Sequence, residues 1–347
     1  MKTIFRLLII LPLTVAMLLL SGACSRSRQA PVEEHAMYYW RTTLSLSDAE
    51  KDFIHRNDVS VLYLHLFDVT AGGDSIPHPS NTLFFKDTIP EGLEIIPTVF
   101  IAEGVLRNRR VDHRELARNI ITRIDRMMTL NGYPLPQEIQ IDYDWARSDR
   151  KAYFTLMEAL KDSLHADGRR LSSTVRLHQL AQPAPPADNG VLMVYNTGNF
   201  ADPKEKNSIL SMENVEPYLR YLDGYSLPLS TALPAYDWNL LFHRGKFRMI
   251  VRGVQPATDK NFEQIDSSHY RALRYSAVPS ATGLQAEGRI YPGDIIRRET
   301  SNPATGARVA RAIGKRQPSA LRRLVIYHLD DACLPSADSL FQIISTR

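Results

Sequence analysis

The chain has 347 residues, 44% of them hydrophobic, and a formal net charge of +4. That is enough apolar material for one large core, and the basic excess is too weak to argue for nucleic acid without a basic stripe interleaved with aromatics. Of the two cysteines, Cys24 falls in the leader described next, which leaves Cys333 with no intramolecular disulfide partner.

The N-terminus reads as an export signal. Lys2 and Arg6 form a basic region, Leu7 to Leu20 an apolar run broken only by Pro12 and Thr14, and Ser21-Gly22-Ala23-Cys24 follow. The apolar run is short for a spanning helix and ends in small residues, as in a cleaved leader. Leu20-Ser21-Gly22-Ala23-Cys24 also resembles a bacterial lipobox, although Ser21 stands where the commonest form has Leu. In that motif the cysteine becomes the lipidated first residue of the mature protein. The expectation is a signal peptide over 1–23, a flexible tether over 24–36 and one domain over 37–347. Such a chain would be exported, monomeric and lipid-anchored in the bacterial cell envelope, at the outer membrane.

From Met37 onward, strand-like runs alternate with helical ones, the sign of an α/β protein with a parallel sheet. Met37–Thr42 is the first strand. A helix opens at Ser47 with Glu50 three residues on, a capping-box spacing. Strands over Val59–Val69 and Leu93–Ile101 precede a helix over Val111–Leu130, whose Leu116, Ile120, Ile121, Ile124, Met127 and Met128 recur at helical spacing. A strand around Gln140, a helix over Ser148–Ala166 and strands over Leu171–Leu180 and Gly190–Asn196 follow. Met212–Leu222 is helical, and Gly224–Leu233 and Leu321–Leu329 are the last two strands. Eight strands in this order predict a (β/α)8 TIM barrel, with an irregular insertion over 253–320 before the last strand. An open doubly wound sheet is the alternative, but no G-x-G-x-x-G turn follows any strand. The basic cluster Arg308, Arg311, Lys315, Arg316, Arg322 and Arg323 reads as a solvated helix face.

The fourth strand carries the chemistry. In Glu138-Ile139-Gln140-Ile141-Asp142-Tyr143-Asp144, alternation puts Gln140, Asp142 and Asp144 on one face and apolar residues on the other. Carboxylates are rarely buried unpartnered, so such a row predicts the wall of a polar site. Tyr39, Trp40, Tyr236 and Trp238 fall at or just past strand ends, where aromatic faces can stack on sugar rings or pack at the rim. His65, Asp68 and His178 sit near the same mouth. His328, Asp330 and Asp331 lack metal-ligand spacing, no metal or cofactor is expected, and no G-x-S-x-G elbow is present.

Several strand ends together resemble glycoside hydrolase family 18, the chitinase-type barrels. That family carries Asp-x-x-Asp-x-Asp-x-Glu on its fourth strand. Here the penultimate acid falls on Asp142, the general-acid Glu on Asp144, and the two earlier Asp positions on Gln137 and Gln140. Met193-Val194-Tyr195-Asn196 is similar to the family's sixth-strand Met-x-Tyr-Asp/Asn. Leu227-Pro228-Leu229 before Tyr236-Asp237-Trp238, and Val325-Ile326-Tyr327 near the end, match its last strands more loosely. The resemblance implies a glycoside hydrolase of an envelope or host glycan, with Asp144 as acid, Asp142 as orienting carboxylate and Tyr195 as hydrogen-bond donor. Gln140, Asn196, Trp40, Tyr236, Trp238 and Tyr327 would bind substrate. Two carboxylates side by side would have their pKa values driven apart, leaving one able to donate a proton. Asp in place of Glu shortens the acid by one methylene. The alternative, in which Asp142 and Asp144 are not catalytic, is a non-catalytic glycan-binding barrel.

Overall fold

The computed structural model describes residues 32–72, 76–108, 110–279 and 287–345; Cys24 and the expected leader lie outside them. Eight parallel strands form the centre: β1 (Glu34–Tyr39), β2 (Val59–Ala71), β3 (Glu94–Ile101), β4 (Glu138–Asp142), β5 (Arg170–Arg176), β6 (Asn189–Met193), β7 (Leu229–Pro234) and β8 (Arg323–Tyr327). Each pairs with its neighbour in chain order, and β1 pairs with both β2 and β8, so the sheet closes. The fold is a (β/α)8 barrel.

Six α-helices are described: α1 (Asp48–Arg56), α2 (His113–Leu130), α3 (Arg150–Ala166), α4 (Met212–Leu219), α5 (Pro303–Arg316) and α6 (Leu334–Ser345). Among the described residues no α-helix follows β2 or β5; a single 3-10 turn, Leu177–Ala181, stands in the second place. Local chemistry explains where helices start. Ser47 accepts from the Glu50 backbone while the Glu50 side chain reaches back, completing the capping box read from sequence. Asp112 accepts from the Arg114 and Glu115 amides and opens α2.

The core has two layers, because alternate residues of a barrel strand face in and out. Met37, Leu62, Ile139, Ile141, Leu192, Leu233 and Ile326 face outward and belong to one apolar layer with Leu116, Ile120 and Ile124 of α2 and Leu156 and Leu160 of α3. Truncating one of these buried aliphatics to Ala costs about 2–5 kcal/mol. The inner layer is smaller and more aromatic: Ala36, Tyr38, Val61, Tyr63, Ile96, Val191, Met193, Ala232 and Val325.

The expected irregular stretch over 253–320 has different bounds. A five-stranded antiparallel sheet begins at Trp238 and ends at Glu299, in the order 246–251, 238–243, 295–299, 269–272, 262–264. From residue 303 the chain is α5, with Asn302 as N-cap and Pro303 in the first turn. Strands such as Lys-Phe-Arg-Met-Ile-Val (246–251) alternate with charge and are short, so they read as loop. The basic cluster is split as well. Arg311 donates to the Ile343 carbonyl and Arg316 pairs with Asp223 from α5, whereas Arg322 and Arg323 lie at the start of β8 and pair with Glu33 and Glu34.

Candidate functional site

The C-terminal ends of the strands open into a cleft of about 1390 Å³, walled on one side by the inserted sheet through Ile250, Arg252 and Arg298. This is larger than the roughly 300–1,000 Å³ of small-molecule pockets and suits an oligomeric ligand. Of the residues singled out in the sequence, Asp142, Tyr195, Asn196, Trp40, Tyr236, Trp238, Tyr327 and Asp68 line it. Gln140 and Asp144 do not.

The polar row of β4 runs one step lower in the barrel than the sequence pattern suggested. Glu138, Gln140 and Asp142 are the inward residues. Glu138 meets Arg170 and Asn189, and Gln140 is fully buried, its Oε1 accepting from the Tyr38 hydroxyl at 2.7 Å and from Thr98 at 3.3 Å. Only Asp142 reaches the cleft floor. The strand ends there, so the expected third member of the row, Asp144, is not on it. Tyr143 donates to Asp149 and Trp145 is buried against Tyr153 and Phe154, while Gln179 donates to both Asp144 and the Trp145 carbonyl. The Asp144 carboxylate is 57% exposed, 3.2 Å from Gln179 and 3.4 Å from His178. Asp142 and Asp144 are therefore held by different partners, Arg176 and Gln179.

Asp142 has a different partner. Arg176 lies 2.8 Å from its Oδ1, and Thr174 donates to the same oxygen at 2.6 Å. Burial works against the Arg176 charge, but Asp142, then Tyr195 and Asp144, outweigh it and hold its pKa above the ordinary value. Neither partner was singled out from the sequence, although the signal was there: Ser172, Thr174 and Arg176 alternate along β5 as a second inward polar row. Such a pair gives the floor a fixed dipole of nearly zero net charge.

Above the floor the aromatic rings form one continuous run. Trp40 stands 6.0 Å from Tyr327, Tyr327 stacks on Tyr195 at 4.9 Å and 29°, Tyr195 meets Tyr236 edge-on at 6.4 Å, and Tyr236 meets Trp238 at 5.6 Å. Four of the five come from the ends of β1, β8, β6 and β7, and Trp238 opens the first inserted strand, so only barrel closure brings Trp40 beside Tyr327. Burial, reinforced by Tyr327 and Asp142 against the opposing Arg176, raises the Tyr195 pKa well above normal, and burial does the same for Tyr327. Both phenols remain hydrogen-bond donors at neutral pH. The Tyr195 hydroxyl is given to the Met193 sulfur at 3.1 Å, a weak acceptor that a ligand oxygen would displace. Tyr236 donates to Asn196 Oδ1 at 2.5 Å. Asn196 itself sits at φ +52°, a conformation Asn tolerates better than most residues.

His65 lies behind this wall, its ring tilted against Trp40 at 4.6 Å and its Nε2 2.7 Å from Asp68, which Asn81 also contacts. Asp331 accepts from Ser47 and ties this segment to the start of α1, while Asp330, which lines the cleft with His328, accepts from the Ala332 amide. Burial pushes the Cys333 thiol up to about 12 at the edge of the cleft, in keeping with a core residue.

The closed barrel recurs among solved structures. The spore cortex-lytic enzyme SleL of Bacillus cereus superposes with a TM-score of 0.52 at 15% identity, over 91% of this chain and 75% of that one. A chitinase of Chromobacterium violaceum gives 0.54 at 14% identity, covering 91% and 100%. The GH18 chitinase ChiB of Flavobacterium johnsoniae gives 0.52 at 12%, covering 91% and 94%. The chain has the chitinase-type barrel fold. At the level of sequence, no family model and no curated protein matches it.

Proposed function

We propose that this protein is a carbohydrate-active barrel whose cleft binds an oligosaccharide, with amino sugars as the first class to try. The observation that carries the reading is the unbroken run Trp40–Tyr327–Tyr195–Tyr236–Trp238 over a floor neutralised by the Asp142–Arg176 pair. Aromatic faces stack on the apolar faces of sugar rings, and the phenols supply hydrogen bonds to ring substituents. The candidate acid Asp144 is held by Gln179 outside the cleft lining, which supports recognition over acid catalysis.

Glycoside hydrolysis is the second reading. Its support is the fold shared with chitinases and the loose hold on Asp144, whose carboxylate is 57% exposed with contacts of 3.2 Å and longer. In that reading Asp144 leaves Gln179 and turns toward the cleft to protonate the leaving oxygen, while Asp142 orients the substrate. As a further part of the proposal, the domain is exported and held at the cell envelope by a lipid on Cys24.

The deciding experiment is calorimetric titration with N-acetylglucosamine oligomers and peptidoglycan glycan fragments, with new reducing ends measured in parallel. Binding without cleavage, lost in Trp238→Ala, supports the binder. Cleavage abolished by Asp144→Asn with binding retained supports the hydrolase. If no glycan in the panel binds, both readings fail.

A further inference from the structure

The inserted sheet contributes a tryptophan to the cleft, and a buried ion pair stands directly behind it. Arg297 and Glu299, one on each side of Arg298 in the last inserted strand, are fully buried, with Arg297 Nε 2.7 Å from Glu299 Oε1 in an ion-pair contact too bent to count as a hydrogen bond. The other carboxylate oxygen, Oε2, accepts three donors: Trp238 Nε1–H at 2.7 Å, the Ser208 amide at 2.9 Å and the Ser208 hydroxyl at 2.6 Å. The Arg297 guanidinium donates to the Asp202 carbonyl at 2.6 Å and the Phe200 carbonyl at 3.0 Å, and it lies over the Phe242 ring. Phe200 in turn meets the Trp238 ring edge-on at 6.1 Å.

Three separate pieces of chain therefore converge on one pair: the loop after β6, the first inserted strand and the last. A buried ion pair contributes little net stability compared with well-packed apolar residues, and its best-attested value is in fixing one arrangement among several. Here the arrangement fixed is the orientation of Trp238. An indole held by one strong charge-assisted hydrogen bond loses little freedom when a sugar stacks on it, so less of the binding free energy is spent in ordering it.

We propose that Glu299, held by Arg297, is the positioning residue that fixes Trp238 as a platform for a sugar ring. The inference rests on the glycan reading of the cleft. Glu299→Asp keeps the charge opposite Arg297 but withdraws the carboxylate from the indole by one methylene. In 15N-labelled protein, with the Trp238 indole resonance identified by its loss in Trp238→Phe, the variant should keep the wild-type fold while exchange of the Trp238 Nε1–H quickens at least tenfold. Its affinity for chitotetraose should fall at least tenfold. An unchanged indole exchange rate, or a changed one with affinity within twofold of wild type, overturns the proposal. Should Glu299→Asp fail to fold, Trp238→Phe keeps a ring and leaves the ion pair intact. It is expected to weaken binding by a similar factor, and wild-type affinity there would also overturn the proposal. Wild-type protein that binds no oligosaccharide rejects the glycan reading and the platform role together, whereas the indole exchange rate reports separately on whether Glu299 holds the ring.

Discussion

Replacing Arg176 with Met removes one half of the ion pair on the cleft floor and leaves the other in place. The Asp142 side chain is 7% exposed and that of Arg176 22%. Breaking a buried pair by deleting one partner costs about 3–5 kcal/mol, because a charge is left without compensation. Two features place this site at the lower end of that range. Arg176 is one-fifth open to water, and Thr174 still donates to Asp142 at 2.6 Å. The expected loss is therefore about 3 kcal/mol, and at roughly 2–4 °C per kcal/mol for a large domain the melting temperature should fall by about 6–12 °C. Urea denaturation and scanning calorimetry both read this directly. Removing the charge from both sides, in Asp142→Asn with Arg176→Met, should bring stability back to within about 1 kcal/mol of wild type, since nothing charged is then left unpaired. A single variant that loses less than about 1 kcal/mol, or a double variant as unstable as the sum of the two singles, would refute the view that the floor is a mutually dependent pair.

Two further outcomes are expected. Burial lowers the His328 pKa below its ordinary 6.5, with Asp330 opposing and Arg41 and Arg252 reinforcing the shift, and its Nδ1 has no hydrogen-bond partner among the described residues. The unfolded chain then takes up a proton near pH 6.5 that the folded chain resists, so this contribution to stability is complete above about pH 6.5 and is lost progressively below it. His328→Gln should lower the difference in melting temperature between pH 7.5 and pH 5.0, and an unchanged difference would show that His328 does not carry it. For the proposed lipid anchor, Cys24→Ala should move the protein from the membrane fraction to a soluble exported form, and continued sedimentation with membranes would count against lipidation.

The barrel order was readable because each strand is bounded by turn residues and the helices α2 and α3 repeat their apolar residues at helical spacing. The inserted sheet was not, because strands such as Lys246–Val251 are short and interrupted by charge, and the pairing that holds the sheet together, Trp238–His243 with Ile295–Glu299, joins segments far apart in sequence. The candidate site was legible in part. Asp142, Tyr195 and the aromatics sit at strand ends, and a strand end is a local property. The position of Asp144 was misplaced by a purely local rule: alternation was carried two residues beyond the point where the strand stops.

What the sequence by itself determined was the alternation of β4, the eight-strand order and the aromatic residues at the strand ends, all consequences of residue spacing along one segment. What only the tertiary structure decided was pairing. Asp142 meets Arg176 of the neighbouring strand β5, 34 residues away, and Trp238 meets Glu299 61 residues away. The physical reason is that a carboxylate's role depends on what neutralises it. Here the groups that the two carboxylates meet, Arg176 for Asp142 and Trp238 for Glu299, arrive from other strands, brought into reach only when β4 pairs with β5 and the inserted sheet folds.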